Sequence, residues 1–143
     1  MKHKILLFFL FLTTFLSAQE VYNYREWTYA GASIGDDEYY VRSIDGKKPV
    51  KQFNKISIWV KKIGNISYIN ASNKEVFLKD GKTVVKYIYD CKEYKSKILS
   101  MYHYNSKSEI VSSIDETELN DDWYSVLPDS VGEGLLEFSC NEY

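Results

Sequence analysis

The sequence predicts an α+β fold, in which a single antiparallel β-sheet of about six strands carries a short C-terminal helix on one face, tied by a disulfide. Three observations predict it. Stretches in which apolar and polar side chains alternate are separated by turn dipeptides such as Asp45-Gly46. After Pro128 the alternation gives way to helical spacing. The two cysteines, Cys91 and Cys140, lie one in the strand region and one in the helical tail.

The predicted strands follow one another with short polar connections, which favours antiparallel pairing of neighbours. Residues 55–63 alternate most clearly, with Ile56, Ile58 and Val60 on one side of the chain. Gly64-Asn65 predicts a break in the strand, and Asp80-Gly81 predicts a turn. The predicted strands are residues 25–30, 38–44, 55–63, 82–104 with an interruption, and 109–114, with shorter candidates at 66–69, 75–78 and 123–127.

The tyrosine-rich stretch 86–104 changes face part of the way along. Tyr87 and Cys91 share one parity, whereas Tyr94 and Tyr102 share the other. Since successive side chains of a strand point to opposite faces, this one-residue slip predicts a bulge, bend or break near residues 92–95.

The C-terminal segment has the pattern of a short amphipathic helix. Ser130 and Glu133 have the spacing of a capping box, in which the serine hydroxyl accepts the glutamate N–H and the glutamate reaches back. The next apolar residues follow helical spacing, at Val131, Leu135 and Phe138, with Leu136 and Cys140 on an adjoining stripe.

Residues 1–18 have the features of a cleaved signal peptide. Residues 1–4 are basic, residues 5–16 are mainly apolar, and Ser17-Ala18 ends a small-residue cleavage site. The apolar stretch is shorter than the ~20 residues of a membrane-spanning helix. We therefore predict export, with residues 19–143 forming a single domain that is periplasmic, cell-surface or secreted and has no transmembrane segment after cleavage.

Both cysteines lie in the predicted exported part. An even count in an oxidising compartment predicts a disulfide between Cys91 and Cys140. A reactive thiol pair usually shows C-x-x-C spacing, which this pair lacks. Because a short helix is marginal alone, the link to the sheet would hold it in place, and in the chain-entropy model it stabilises the fold by ~4 kcal/mol.

Charge is unevenly distributed along the chain. Residues 46–107 contain fourteen lysines and four carboxylates, whereas residues 108–143 contain ten carboxylates and no lysine or arginine. Two interpretations remain open. The acidic segment can fold back on the basic one so that the two fields largely cancel, or a basic face can stay open to an acidic partner.

The sequence predicts no catalytic site, no cofactor and no metal site. His103 is the one histidine of residues 19–143, which removes histidine pairs for zinc, and no G-x-S-x-G motif accompanies it. Phosphate-binding glycine loops are absent from the sequence. The acidic clusters at residues 36–38 and 115–122 have the pattern of solvated loops. We therefore predict that the protein is not an enzyme.

Tyrosines alternate with lysines around Cys91. Such a surface can stack single-stranded nucleic acid, but export argues against that partner. Tyrosine also suits a half-buried sheet surface, and it is enriched where proteins bind one another. If one face binds a partner, we predict the strand after Cys91, with Lys92, Lys95 and Lys97 as electrostatic contacts and Tyr94 as an apolar anchor.

A series of short motifs runs through the chain in a defined order. These are Trp27, residues 39–41 (YYV), 43–45 (SID), 58–61 (IWVK) and 89–91 (YDC), the lysines that follow Cys91, then Trp123, Val126, Pro128 and Cys140. Together they resemble the surface-adhesin protein E family of bacteria. The resemblance implies an antiparallel sheet with a C-terminal helix held by one disulfide. It also implies a non-enzymatic surface or periplasmic protein, because named members bind host extracellular-matrix and serum proteins.

The predicted function is adhesin-like binding of an extracellular macromolecule, with a protein partner that the sequence does not identify. The alternative is a periplasmic small-ligand carrier or an enzyme inhibitor built on a similar sheet. A deep apolar cavity beneath the helix would favour the carrier. A flat, filled sheet would favour the adhesin.

Overall fold

The computed structural model describes residues 23–115, 118–119 and 121–143, so the predicted leader at residues 1–18 lies outside the described residues. Seven antiparallel strands form one sheet, followed by a short helix, as the sequence predicted. The strands are β1 (Thr28–Ala32), β2 (Glu38–Ser43), β3 (Lys55–Ile69), β4 (Glu75–Asp90), β5 (Lys95–Tyr104), β6 (Ile110–Ile114) and β7 (Tyr124–Ser125). The helix is α1 (Val131–Glu137), which continues into a π-helical turn, Phe138–Glu142.

The first six strands lie side by side in chain order. The short strand β7 pairs with the beginning of β5, where Lys95 lies opposite Ser125. The first strand begins at Thr28 instead of Arg25, because the backbone N–H of Glu26 donates to the carbonyl of Asn23 and closes a turn there.

The predicted turn at Asp80-Gly81 is wrong, and so is the predicted break at Gly64-Asn65. Both dipeptides lie inside one long hairpin of β3 and β4, in which Gly64 pairs with Gly81 next to a register shift. A Cβ on Gly64, whose φ is 149°, would overlap the side chain of Asp37. These glycines therefore permit a bulge and a close approach of neighbouring chain, a role that sequence alone does not distinguish from a turn. The short strands predicted at 66–69 and 75–78 are the ends of β3 and β4.

The predicted interruption near residues 92–95 is confirmed. β4 ends at Asp90, whose carboxylate accepts the backbone N–H groups of Lys92 and Glu93 at 3.1 and 3.0 Å. Tyr94 then adopts a left-handed backbone with φ 51°, and β5 begins at Lys95. The turn changes the parity, so that Ser96 pairs with Tyr89. A second register shift, between Ile98 and Ser100 of β5, then places Tyr102 opposite Val84, on the other face from Tyr87.

The N-terminal cap of α1 differs in one bond from the predicted capping box. The Ser130 hydroxyl accepts the backbone N–H of Glu133 at 3.2 Å, as expected. The Glu133 carboxylate, however, accepts the N–H of Asp129 at 2.8 Å instead of that of Ser130. Both bonds still satisfy backbone donors that the start of a helix leaves without partners.

The apolar stripe of the helix is displaced from the predicted one. Leu135 and Leu136 are buried, whereas Val131 is 37% exposed and Phe138 is half-buried. The continuation as a π-helical turn widens the helix and places Cys140 against the sheet.

One hydrophobic core lies between α1 and the sheet. Its sheet side consists of Val41, Ile56, Ile58 and Val60, which are at most 3% exposed, with Tyr89. Its helix side consists of Leu135, Leu136, Cys140 and Tyr143. The hydroxyl of Tyr143 accepts the backbone N–H of Ser43 at 3.2 Å, which attaches the end of the chain to β2.

The predicted disulfide is confirmed. Cys91 and Cys140 are bonded with their Cα atoms 5.9 Å apart, and the link closes a loop across a sequence separation of 49 residues. It joins the β4–β5 turn to the π-helical turn. The backbone N–H of Cys91 also donates to the carbonyl of Asn54 at 2.8 Å, so the β2–β3 connection is fixed at the same end of the sheet.

Candidate binding surface

The sheet presents a second face, opposite α1, that is rich in aromatic and cationic side chains. Since side chains alternate along a strand, the neighbours of buried Val41, Ile58 and Val60 point away from the helix. We call this the open face, and its residues are Tyr40, Arg42, Trp59, Lys61, Lys82, Val84, Lys86, Tyr102 and Tyr104. All of them are half-buried.

Cations and aromatic rings of the open face alternate from strand to strand. Arg42 of β2 lies opposite Trp59 of β3, which in turn lies opposite Lys86 of β4. Two residues away along β2 and β3, Tyr40 lies opposite Lys61. Cross-strand partners have Cβ atoms ~5 Å apart, so each ammonium or guanidinium group has a ring beside it.

Several of these pairs are in cation–π contact. The Lys61 Nζ lies 4.2 Å from the ring centroid of Tyr40 and 4.7 Å from that of Trp27, which precedes β1. The Arg42 guanidinium lies 4.8 Å from the same Trp27 ring. Each such contact contributes ~0.5–1 kcal/mol at an exposed site. The contacts order the long cationic side chains along the sheet.

The cations of the open face lie close enough to one another to interact. Burial lowers the pKa of Lys61, the nearby charges of Lys82 and Arg42 lower it further, and the charge of Glu38 raises it. Neither of the two ion pairs found among residues 23–115, 118–119 and 121–143 involves a cation of this face. Lys82 lies 4.5 Å above the ring of Tyr104 instead. Two carboxylates, of Glu38 and Asp115, accept the hydroxyls of Tyr40 and Tyr102 at 2.8 and 3.1 Å. The cations outnumber them, and a net positive field beside flat aromatic surface suits an anionic partner.

The four residues predicted as partner contacts lie in the β4–β5 turn and at the beginning of β5. Lys92 and Tyr94 lie in the β4–β5 turn, where both are exposed. Lys95 and Lys97 begin β5, opposite Asp90 and Ile88 of β4, at the end of the sheet where the disulfide lies. They therefore border the open face.

The acidic C-terminal segment covers part of this border. The Lys97 ammonium is bound to the carboxylate of Asp121, and the hydroxyl of Tyr94 donates to Glu137 at 3.4 Å. The interpretation that the acidic segment folds back on basic residues therefore holds for Lys97. Among the described residues of that segment, Asp115 accepts the hydroxyl of Tyr102 on the open face at 3.1 Å, and none forms an ion pair with a cation of that face.

Sequence reasoning missed Arg42, Lys61 and Lys82 as candidate residues. The alternation of residues 55–63 places Trp59 and Lys61 on the same face of the strand, opposite the predicted buried residues. The pairing of Arg42 with Trp59, however, depends on the register between β2 and β3.

His103 is a buried histidine on the face that α1 covers. His103 is 5% exposed, and its Nδ1 lies 2.9 Å from the hydroxyl of Thr83. Its ring stacks on that of Tyr68, with the ring centroids 4.4 Å apart. Burial lowers the pKa of the imidazole. This arrangement suits a hydrogen-bonded structural side chain, and the described surroundings contain no serine bonded to it.

A cavity of about 320 Å³ lies beside the helix, between Leu135 and strands β3 to β5. Ligand pockets have volumes of about 300–1,000 Å³, so this space is at the lower limit. Its lining mixes apolar Val60 and Ile66 with polar Thr83 and His103. It is not the deep apolar cavity that would favour a small-ligand carrier.

The described part of the chain shows neither a metal-binding cluster nor a membrane-spanning helix. No group of three or more His, Cys, Asp or Glu side chains there could hold a metal ion. No helix in that part is both long enough and apolar enough to cross a membrane.

Comparison with known proteins gave one match. The sequence profile of the surface-adhesin protein E family matches residues 27–141, which is most of the chain. The resemblance inferred from the short motifs is therefore confirmed. Comparisons with curated proteins and with solved structures found no match.

Proposed function

Because the chain belongs to the surface-adhesin protein E family, we propose that it is an exported, non-enzymatic binding protein that attaches to an acidic extracellular macromolecule through its open face. The leader predicted at residues 1–18 supports export. The family supports an adhesin-like role at the cell surface. Within that role, the structure suggests which surface makes the contact.

One observation carries the proposal: the open face combines half-exposed aromatic rings with cations that form no ion pair within the described part of the chain. Aromatic residues and arginine are enriched in protein interfaces, and an uncompensated field of one sign speeds association with a partner of opposite charge. Lys95, at the border of the face, extends the same field.

The experiment measures binding of the disulfide-bonded, exported protein to two coated surfaces, basement-membrane extract and whole serum protein, at low salt. Reversing two charges of the open face, with Lys61→Glu and Lys82→Glu, should lower binding roughly tenfold because attraction becomes repulsion. The matched control is Lys74→Glu with Lys79→Glu, which makes the same change of charge on exposed residues of the β3–β4 hairpin that lie outside the open face.

The control pair should bind within about twofold of the wild type, since a general loss of net charge would affect both pairs alike. Equal losses for the two pairs would contradict a role for the open face. Failure of the wild-type protein to bind either coating at low salt would contradict the proposed function itself.

A further inference from the structure

A cleft of about 670 Å³ lies at the end of the sheet near the disulfide, on the side away from α1. Its floor includes Lys86, Ile88 and Leu99 of β4 and β5, and its wall is the β2–β3 loop, residues 44–53. The volume is about twice that of the cavity beside the helix, at 320 Å³. It is well within the range of small-molecule sites, about 300–1,000 Å³.

The lining joins apolar surface to positive charge. The apolar residues of the lining include Ile88 and Leu99 of the floor and Val50 and Phe53 of the loop, and its cations are Lys48, Lys55 and Lys86. None of these lysines takes part in an ion pair with a described residue. Lys55 lies 4.8 Å from the ring centroid of Trp123, a contact that leaves its charge uncompensated.

The one carboxylate of the lining is already engaged by the loop. The Asp45 Oδ1 accepts the backbone N–H of Lys47 at 3.0 Å and the hydroxyl of Ser43 at 2.9 Å. The backbone bond from Lys47 lowers the pKa of Asp45 most, and the bond from Ser43 lowers it further. The carboxylate therefore stays ionised and holds the turn. The lysines of the cleft therefore retain a net positive field.

Phe53 combines an exposed side chain with a left-handed backbone conformation. Phe53 is 95% exposed, and its φ is 51°, a left-handed conformation that is strained for a non-glycine residue. It occupies a two-residue turn in which Gln52 and Lys55 exchange backbone hydrogen bonds of 2.9 Å. The adjacent carbonyl of Asn54 accepts the N–H of Cys91, so the turn is tied to the disulfide.

Glycine would fit this backbone without strain, yet the position holds a large apolar ring that is almost fully exposed to water. Both costs are offset if the ring meets apolar atoms of a ligand. Charge alone would suit an inorganic anion, and apolar surface alone would suit a neutral hydrocarbon. The cleft supplies both together.

We propose that the cleft binds a single-chain amphipathic anion, with its alkyl chain between Phe53 and the Ile88–Leu99 floor and its anionic head group among the three lysines. This site adjoins the open face and shares Lys86 with it. It uses the β2–β3 loop, which the macromolecular contact of the open face does not require.

Isothermal titration calorimetry with sodium dodecanoate, below its critical micelle concentration, tests the site in the disulfide-bonded protein. We expect saturable binding of one dodecanoate per chain. The neutral probe 1-dodecanoylglycerol should bind roughly tenfold more weakly, because it has the same chain without the charge. Inorganic phosphate alone should give no heat of binding.

Phe53→Gly is the decisive variant, because it removes the ring and also relieves the backbone strain, so the protein should remain folded. We expect its affinity for dodecanoate to fall at least about tenfold, the loss expected when burial of an aromatic ring is removed. The matched control is Phe77→Ala, since Phe77 is a 64% exposed phenylalanine of β4 outside the cleft lining. It should bind as the wild type does.

Two further variants separate this site from the open face. Lys48→Gln with Lys55→Gln should weaken dodecanoate but not 1-dodecanoylglycerol, whereas Lys61→Glu with Lys82→Glu should leave dodecanoate binding intact while lowering attachment to the protein coatings. Unchanged affinity of Phe53→Gly would overturn the proposal. So would co-sedimentation with phosphatidylglycerol vesicles without binding of free dodecanoate, which would make the loop a membrane contact instead.

Discussion

The two faces of the sheet are built from the same strands and have opposite chemistry. On the covered face Val41, Ile58 and Val60 are at most 3% exposed and pack against α1. On the open face their immediate neighbours Trp59 and Lys61 stay half-exposed, and their cations contact rings instead of carboxylates. Because side chains alternate along a strand, one stretch of sequence can specify stability on one side and binding on the other.

The largest expected effect on the covered face is the loss of stability on removing the disulfide. Cys91→Ser with Cys140→Ser should lower the free energy of unfolding by ~4 kcal/mol, since the unfolded chain regains the entropy of a long closed loop. Urea unfolding followed by circular dichroism measures it. Reduced wild-type protein should match the double variant, and a loss below about 1 kcal/mol would mean that the link does not secure the helix.

The next largest effect concerns the helix side of the same core. Leu136 is 1% exposed, and Leu136→Ala should cost about 3 kcal/mol through lost burial and the cavity left behind. Val131→Ala in the first turn of α1, where the side chain is 37% exposed, should cost less than about 1 kcal/mol. Similar values for the two variants would show that the helix does not pack as described.

A smaller effect on the covered face depends on pH. Burial lowers the pKa of His103, so the unfolded chain takes up a proton at a higher pH than the folded chain does. This contribution is complete above the ordinary histidine pKa of about 6.5 and is lost as the pH falls below it. His103→Gln should show a shallower fall in unfolding free energy between pH 7 and 5; identical slopes would contradict the assignment.

The smallest expected change in stability is on the border of the open face. Charge reversal at Lys92, Lys95 and Lys97 should lower binding to the protein coatings at low salt, while unfolding free energy falls by less than about 1 kcal/mol. Lys97 should account for most of that fall because, within the described residues, it is the one of the three that is bound to a carboxylate, that of Asp121. Unchanged binding would remove these residues from the contact surface.

The covered face could largely be predicted from sequence, and the open face could not. The alternation of residues 55–63 and the change of parity after Cys91 are local patterns, so they predicted the buried side of β3 and the β4–β5 turn. The cysteine count, with the predicted export, predicted the disulfide. The array of Arg42, Trp59 and Lys86 depends on register between three strands, which no local pattern specifies.

Glycine caused the main error in the fold. Gly64 and Gly81 have the sequence context of turns, but they pair with each other inside the long β3–β4 hairpin. A glycine that admits a close neighbour and a glycine that reverses the chain have the same sequence signature. The position of Phe53 could not be predicted either, because a left-handed phenylalanine has no sequence signal.

The most direct test compares two adjacent residues of β3, Val60 on the covered face and Lys61 on the open face, in paired measurements of urea unfolding and binding to basement-membrane extract. We predict that Val60→Ala loses about 2 kcal/mol of unfolding free energy and binds as the wild type does. Lys61→Glu should keep its unfolding free energy within about 1 kcal/mol and bind less. If both variants lose stability and binding in parallel, the two faces do not have separate roles.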